Sequence, residues 1–201
     1  MSIPAPGPSD ALAMEGEQWI RYARGAAAAY LAGCPPPQVA VHGLVLEPME
    51  VALLQANAFY ARWIGGSGQY VRRSTFAFGG PLFVTTALAA TAVGNARRAK
   101  AARADAQPTW RRHQAGPVLV TDRRILCYTR ESGWLSFFHG AVTEFYPDLP
   151  GWSVTYNYGG QCAPLRLSGP AAPALILWTG IGILGPRWSS DPRLTPLLPT
   201  P

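Results

Sequence analysis

The clearest alternation of apolar and polar residues lies between positions 110 and 167. Residues two apart point to the same face of a strand, and short apolar runs separated by turn residues are typical of antiparallel hairpins. Within 152–158, for example, aromatic and aliphatic side chains alternate with serine, threonine and asparagine. The pattern predicts short strands at 110–114, 118–121, 125–128, 134–138, 142–146, 152–158 and 165–167.

A continuous apolar run follows these strands at residues 171–184. Ser168 precedes it as a candidate cap, and a Gly-Pro pair ends it. A helix that is apolar on all sides has to be covered, because exposed apolar surface costs roughly 25 cal/mol per Å². The nearest cover is the series of strands before it. We therefore expect residues 110–186 to form one β-domain closed by this helix, with a proline-rich tail at 187–201 that can fold back on it.

The first part of the chain has a weaker pattern. Residues 1–41 are expected to be flexible apart from a helix at 10–31, which Asp10 caps and three prolines end. Residues 46–64 are predicted to form a second helix, because apolar residues recur at three- and four-residue intervals and two acids fall in its first turn. The apolar face is Met49, Leu53, Ala56 and Tyr60, and the acids are Glu47 and Glu50.

The segment 42–109 is predicted to continue with one strand at 69–78 and a helix from Pro81 to Ala104. The first part of that helix is uncharged, and its last part is basic and rich in alanine. About 20 predominantly apolar residues can cross a bilayer, and the uncharged stretch 74–96 has that length. Because alanine, threonine and glycine supply much of it, burial against the domain or at an interface is favoured over a span.

Positive charge is concentrated in the middle of the chain. Residues 62–130 contain twelve basic residues and two acids and so carry +10, whereas five bases and nine acids elsewhere give −4. Such a region either meets anionic lipid or nucleic acid, or is the solvated face of a helix. No aromatic residues interleave with the basic helix, so nucleic acid is the less favoured partner.

Cysteine and histidine usage indicates neither a disulfide framework nor a metal site. Cys34, Cys127 and Cys162 are an odd number without CxxC spacing, so a reduced cytoplasmic compartment is expected. The last two cysteines could combine with His113 and His139, but no pair among these four has zinc-site spacing, and no metal or other cofactor is predicted. The uncharged, proline-rich start of the chain lacks the features of a signal peptide.

The sequence also places no nucleophile beside a base. The chain is therefore predicted not to be an enzyme. The isolated candidates for acid–base chemistry are Asp122, Glu131, Glu144, His113 and His139.

The stretch from Gly116 to Tyr128, GPVLVTDRRILCY, resembles a hairpin of GRAM-type and bacterial pleckstrin-homology-like domains. That hairpin has a glycine, alternating hydrophobic residues, a threonine, and an arginine before the second strand. Residues 134–142 are similar to the strand pair that follows it, and the order of parts also resembles that of a family of actinobacterial proteins. The resemblance implies an α+β fold: a pleckstrin-homology-like antiparallel β-barrel or sandwich, capped by a C-terminal helix and preceded by N-terminal helices.

The same resemblance implies a scaffold that binds phospholipid headgroups or protein segments. We therefore expect a non-catalytic module that associates with an anionic membrane surface, peripherally at the inner face of the plasma membrane. The alternative is a protein-interaction or homodimerisation module without a lipid role, in which the apolar runs 76–93 and 171–184 pack within the fold or across a dimer. The residues expected to bind lipid or another anion are Arg72, Arg73, Arg97, Arg98, Lys100, Arg103, Arg111, Arg112, Arg123 and Arg124.

Overall fold

The computed structural model describes residues 8–65 and 107–199. This part of the chain forms α1 (Pro8–Leu31), β1 (Ala52–Ile64), β2 (Thr109–Thr121), β3 (Arg124–Thr129), β4 (Gly133–Phe138), β5 (Glu144–Asp148), β6 (Ser153–Asn157), β7 (Leu165–Ser168) and α2 (Ala172–Leu184). Short 3-10 helices lie at His139–Ala141, Gly185–Ser190 and Pro192–Leu197.

The seven strands of the described residues form one antiparallel sheet in the order β4-β3-β2-β1-β7-β6-β5. Strand β1 is central, and its register with β7 places Tyr60 opposite Leu167 and Arg62 opposite Leu165. The sheet is not closed into a barrel, so β4 and β5 are its edges. The predicted α+β class with a capping C-terminal helix is confirmed, and the architecture is consistent with a pleckstrin-homology-like sandwich.

Helix α2 is buried along most of its length, as its apolar sequence predicts. Nine consecutive residues from Ala172 to Gly180 are buried. The Thr179 hydroxyl lies 3.0 Å from the Tyr156 hydroxyl and donates to the Leu175 carbonyl at 2.6 Å, so this buried polar group is satisfied. The prediction that Ser168 caps the helix is wrong, because Ser168 ends β7 and the cap position is Ala171, which makes no side-chain hydrogen bond. Burial of large side chains, at about 1.5–3 kcal/mol each, is what stabilises α2.

Helix α1 packs against α2 through small and aromatic residues. Ala23 and Ala27 are fully buried, which allows a close approach of the helix. The Tyr30 ring meets the rings of Trp178 and Trp188, with centroids 6.2 and 6.0 Å apart. The predicted helix at 10–31 is confirmed, and it begins at Pro8.

The C-terminal tail folds back on the same region. Leu194 and Leu197 have no exposed surface, and Arg24 of α1 donates a hydrogen bond of 3.0 Å to the Pro196 carbonyl. Helix α1 and the described part of the tail therefore belong to the same packed structure as α2.

The prediction of a helix at residues 46–64 is wrong, because β1 occupies most of that range. Residues four apart lie on one side of either a helix or a strand, so the spacing of Ala56 and Tyr60 fits both. The two-residue alternation distinguishes them: Leu54, Ala56, Ala58 and Tyr60 are buried, whereas Gln55, Asn57 and Phe59 are exposed.

This correction also moves the boundary of the β-domain. Strand β1 lies in the same sheet as the strands after residue 110, so the domain is not confined to residues 110–186. The strands predicted at 110–114 and 118–121 are one continuous strand, β2. The predicted strand at 69–78 and the helix that begins at Pro81 lie outside the described residues.

The described residues divide between two units: residues 8–62 and 112–199 belong to the first, and residues 63–65 and 107–111 belong to the second. Within the second unit, the described rings of Trp63 and Trp110 meet edge to face with centroids 5.3 Å apart. No helix formed by residues 8–65 or 107–199 is long and apolar enough to cross a membrane.

Candidate anion-binding site

The structure separates the predicted basic residues into groups. Arg111 and Arg112 lie near the start of β2, whereas Arg123 and Arg124 lie at the turn between β2 and β3. At about 3.3 Å per residue, the nine steps of β2 from Arg112 to Thr121 span roughly 30 Å. Arg112 therefore does not form a single patch with Arg123 and Arg124. The other six predicted basic residues lie outside the described residues: Arg72, Arg73, Arg97, Arg98, Lys100 and Arg103.

Arg124 is held by a buried carboxylate. Its Nε and Nη2 atoms donate to the two carboxylate oxygens of Glu50, each at 2.8 Å, and the Glu50 side chain is fully buried. Glu50 also accepts hydrogen bonds from the Thr121 hydroxyl at 2.7 Å and the Glu47 amide at 2.8 Å. Burial alone would raise the pKa of Glu50, but these donors outweigh it and lower the pKa to about 2. The pair fixes the β2–β3 turn to the residues that precede β1.

Arg123 is paired as well, but at the surface. Its Nη1 atom lies 3.2 Å from a carboxylate oxygen of Glu47, and both side chains are a little over two-fifths exposed. Asp122 accepts a hydrogen bond from the Val51 amide at 2.9 Å, which ties the turn to the residue before β1. The basic residues of this turn are therefore positioned by carboxylates of the protein itself.

His139 lies next to this network and is buried. Its Nε2 atom is 3.0 Å from the Thr121 carbonyl, which can only accept, so Nε2 carries the proton. Its Nδ1 atom is buried and has no hydrogen-bond partner within the described structure. Burial lowers the pKa of His139, and the bond to Thr121 only partly opposes that effect.

The start of β2 differs from the turn because its charges face open space. A hollow of about 170 Å³ is lined by Arg112, His113, Gln114, Arg130 and Glu131. Arg112 and Glu131 are 3.7 Å apart, and their side chains are 52% and 72% exposed, so this ion pair contributes little stability. Gln114 accepts a hydrogen bond from the Arg130 amide at 3.1 Å, which ties the end of β3 to β2. Two arginines thus share this hollow with one acid.

The backbone is also unusual at this point. Arg112 has a backbone φ of +58°, which lies in the left-handed region. Residues other than glycine rarely adopt this conformation, which costs on the order of 1 kcal/mol. Arg112 and His113 are both exposed as a result, which interrupts the alternation of β2. The chain therefore keeps two cationic or titratable side chains beside each other at the mouth of the hollow.

Sequence reasoning missed two of the arginines near this end of the sheet. Arg130 follows β3 and was not predicted as a site residue, although it is exposed beside Arg112. Arg62 was assigned to a helix and had no role. Reading 52–64 as a strand would have placed Arg62 on the same side as Tyr60, facing inward.

Arg62 lies partly inside the sandwich. Its Nη1 atom donates to the Tyr60 hydroxyl at 3.3 Å, and its Nη2 atom donates to the Ala163 carbonyl at 2.5 Å. Its guanidinium carbon lies 4.9 Å from the centroid of the Phe137 ring.

Burial raises the pKa of the nearby Cys127 thiol, so this cysteine is a neutral core residue.

No group of three or more histidine, cysteine or acidic residues within 8–65 and 107–199 has the geometry of a metal site. Neither a family model, nor a curated protein, nor a solved structure matches the chain. A functional assignment therefore depends on the geometry and charge of the described side chains.

Proposed function

We propose that this protein is a non-catalytic binding module that associates with an anionic phospholipid surface at the inner face of the plasma membrane. The observation that carries the proposal is the hollow at the start of β2, where Arg112 and Arg130 are exposed beside one acid. These arginines can reach a flat charged surface. Arg124, by contrast, is engaged with the buried Glu50.

The sequence next to this hollow adds charge of the same sign. Residues 66–106 connect β1 to β2 and contain six basic residues and a single acid, Asp105. A basic residue near an anionic membrane contributes about 1 kcal/mol to binding, and the contribution is screened by salt. This basic segment ends six residues before Arg112 in the sequence, and its charge supports attachment to an anionic membrane.

Sedimentation of the full-length protein with vesicles tests the proposal. We expect binding to vesicles that contain phosphatidylserine and not to vesicles of phosphatidylcholine, with an affinity that falls as salt is raised. Replacing Arg112 and Arg130 together with glutamine should weaken binding about thirtyfold, since two contributions of about 1 kcal/mol are lost. The matched control replaces Arg21 and Arg187, which are exposed on other elements. Salt-independent binding, absence of binding, or an equal effect of the control would contradict the proposal.

A second candidate function is self-association through the edge strand β4. Tyr128 and Phe138 on β3 and β4 are 42% and 44% exposed, and the ring of Tyr128 meets that of Trp134 across the two strands with centroids 5.6 Å apart. Exposed aromatic residues beside an unpaired strand edge are a surface on which a second copy can add.

Sedimentation velocity over a range of protein concentrations tests this alternative. A dimer should form as concentration rises and should be lost in Tyr128→Glu but not in Phe59→Glu, which changes a more exposed aromatic residue on the central strand. A monomer at all concentrations would exclude it, and vesicle binding by that monomer would favour the membrane proposal.

A further inference from the structure

The interior of the sandwich near Arg62 contains an excess of hydrogen-bond donors. A guanidinium group has five N–H donors, and the described acceptors of Arg62 are the Tyr60 hydroxyl and the Ala163 carbonyl. The Nε atom of Arg62 is buried without a partner among the residues that the structure describes. No carboxylate of residues 8–65 or 107–199 forms an ion pair with this arginine.

A second donor nearby is also buried and unsatisfied. Tyr158 is 2% exposed, and within the described structure its hydroxyl has no hydrogen-bond partner. Its ring and the Arg62 guanidinium both contact Phe137, at centroid distances of 5.9 and 4.9 Å. Burial raises the pKa of Tyr158, and the charge of Arg62 opposes this rise, as it does for Cys127. The same positive charge therefore acts on both buried groups.

This arrangement is costly unless an acceptor is present. A buried donor without a partner costs about 1–3 kcal/mol, and a partly buried cation without a counter-charge costs more. Arg62 supplies donors only, and the Tyr158 hydroxyl can donate one more hydrogen bond. A compact, negatively charged acceptor with several oxygens would satisfy both groups.

We propose that Arg62 and Tyr158 form an interior site for a single phosphate group, either free phosphate or the phosphate of a lipid headgroup. This site goes beyond the membrane proposal, because its donor atoms are buried whereas Arg112 and Arg130 are exposed. The Nε–H of Arg62 and the hydroxyl of Tyr158 donate to phosphate oxygens, and the guanidinium supplies the charge.

Nuclear magnetic resonance of the full-length, ¹⁵N-labelled protein tests the proposal. The Arg62 Nε–H signal, assigned by its loss in Arg62→Lys, should shift saturably when inorganic phosphate is added. Tyr158→Phe should weaken phosphate binding about tenfold, since it removes a hydrogen bond to a charged group. The matched control is Tyr128→Phe, which removes an exposed hydroxyl and should leave the affinity unchanged.

Two further measurements complete the test: a titration with phosphatidylserine vesicles and a spectrum of ligand-free Asp105→Asn. A shift with phosphatidylserine vesicles but not with inorganic phosphate would identify the headgroup as the source of the phosphate. No shift with either ligand would overturn the proposal. So would a shift of the Arg62 signal in ligand-free Asp105→Asn, because a carboxylate of residues 66–106 would then fill the site.

Tyr158→Phe also reports on folding. Removing an unsatisfied hydroxyl should not lower the urea midpoint of the ligand-free protein, so weaker phosphate binding cannot be attributed to unfolding. The two proposals can be refuted separately, since vesicle binding through Arg112 and Arg130 can be absent while phosphate still binds at Arg62.

Discussion

At the scale of single residues, the pair of Glu50 and Arg124 shows why a sequence motif and its role can differ. The arginine belongs to the hairpin on which the expected lipid site was based, but its guanidinium is used within the protein. Its partner, Glu50, comes 74 residues earlier in the chain. A pairing between segments so far apart cannot be read from local spacing.

The first prediction follows from the lowered pKa of Glu50. Glu50→Gln should reduce the free energy of unfolding by about 3 kcal/mol at pH 7, because it leaves the Arg124 charge without its counter-charge. The folded pKa is about 2 and the ordinary value is 4.5, so the contribution is complete above about pH 5 and is lost as the pH falls toward 2. Urea unfolding from pH 7 to pH 2.5 measures it. Glu47→Gln, which affects an exposed pair, should cost less than about 1 kcal/mol.

The second prediction concerns His139. Its folded pKa is lowered, so the unfolded chain takes up the proton first, and stability present above the ordinary pKa of 6.5 is lost as the pH falls below it. Urea midpoints of the native protein should therefore decrease between pH 7.5 and pH 5. His139→Gln should remove most of this decrease, whereas His113→Gln, on the exposed part of β2, should retain it. Equal pH dependence in His139→Gln and the native protein would refute this assignment.

At the scale of elements, the two helices differ in the sequence feature that fixes each of them in the fold. Helix α2 is recognisable from its composition, since apolar residues surround it and burial stabilises it. Helix α1, by contrast, is held by the close contact of Gly16 with the ring of Trp152. A Cβ atom on Gly16 would lie 2.1 Å from the ring of Trp152, whereas one on Gly25 would meet no atom within 4 Å.

These two glycines give the third prediction. Gly25→Ala should raise the free energy of unfolding by up to about 1 kcal/mol, because alanine favours a helix and meets no clash there. Gly16→Ala should lower it by about 1–3 kcal/mol despite the same gain in propensity, because α1 or Trp152 has to move. Thermal unfolding of both variants measures the difference. Stabilisation by Gly16→Ala would show that α1 is not held against Trp152.

Strand β1 shows why the spacing of apolar residues alone does not distinguish a strand from a helix. Four of its seven buried positions are alanine, which favours helices: Ala52, Ala56, Ala58 and Ala61. The neighbouring strands β2 and β7 supply the hydrogen bonds that override this preference. Because the segment was read as a helix, the inward position of Arg62 was missed as well.

At the scale of the whole molecule, the sequence predicts the strands after residue 110 and the capping helix, since both have strong local patterns. It does not predict which basic residues remain available for a ligand, because that depends on pairing across the sheet. Arg130 and Arg112 come together only when β3 is folded against β2. The hollow they line could therefore not be recognised from spacing along the chain.

The fourth prediction concerns residues 187–199 of the tail, which are an integral part of the fold. Leu194 is fully buried, and its Cδ1 atom lies 3.1 Å from where a Cβ on Gly180 of α2 would be. Leu194→Ala should therefore cost about 2–5 kcal/mol, as truncation of a core leucine does. Thr195→Ala, one residue away and exposed, should change stability by less than about 0.5 kcal/mol.

If the tail, α1 and the sheet unfold together, far-UV circular dichroism and tryptophan fluorescence of Leu194→Ala should give one coincident transition at a lower urea concentration. Trp178 and Trp188 report on the region where α1, α2 and the tail meet, because both contact the Tyr30 ring. The dichroism reports on the helices and strands together. Fluorescence and dichroism transitions at different urea concentrations would mean that α1 and the tail detach before the sheet unfolds.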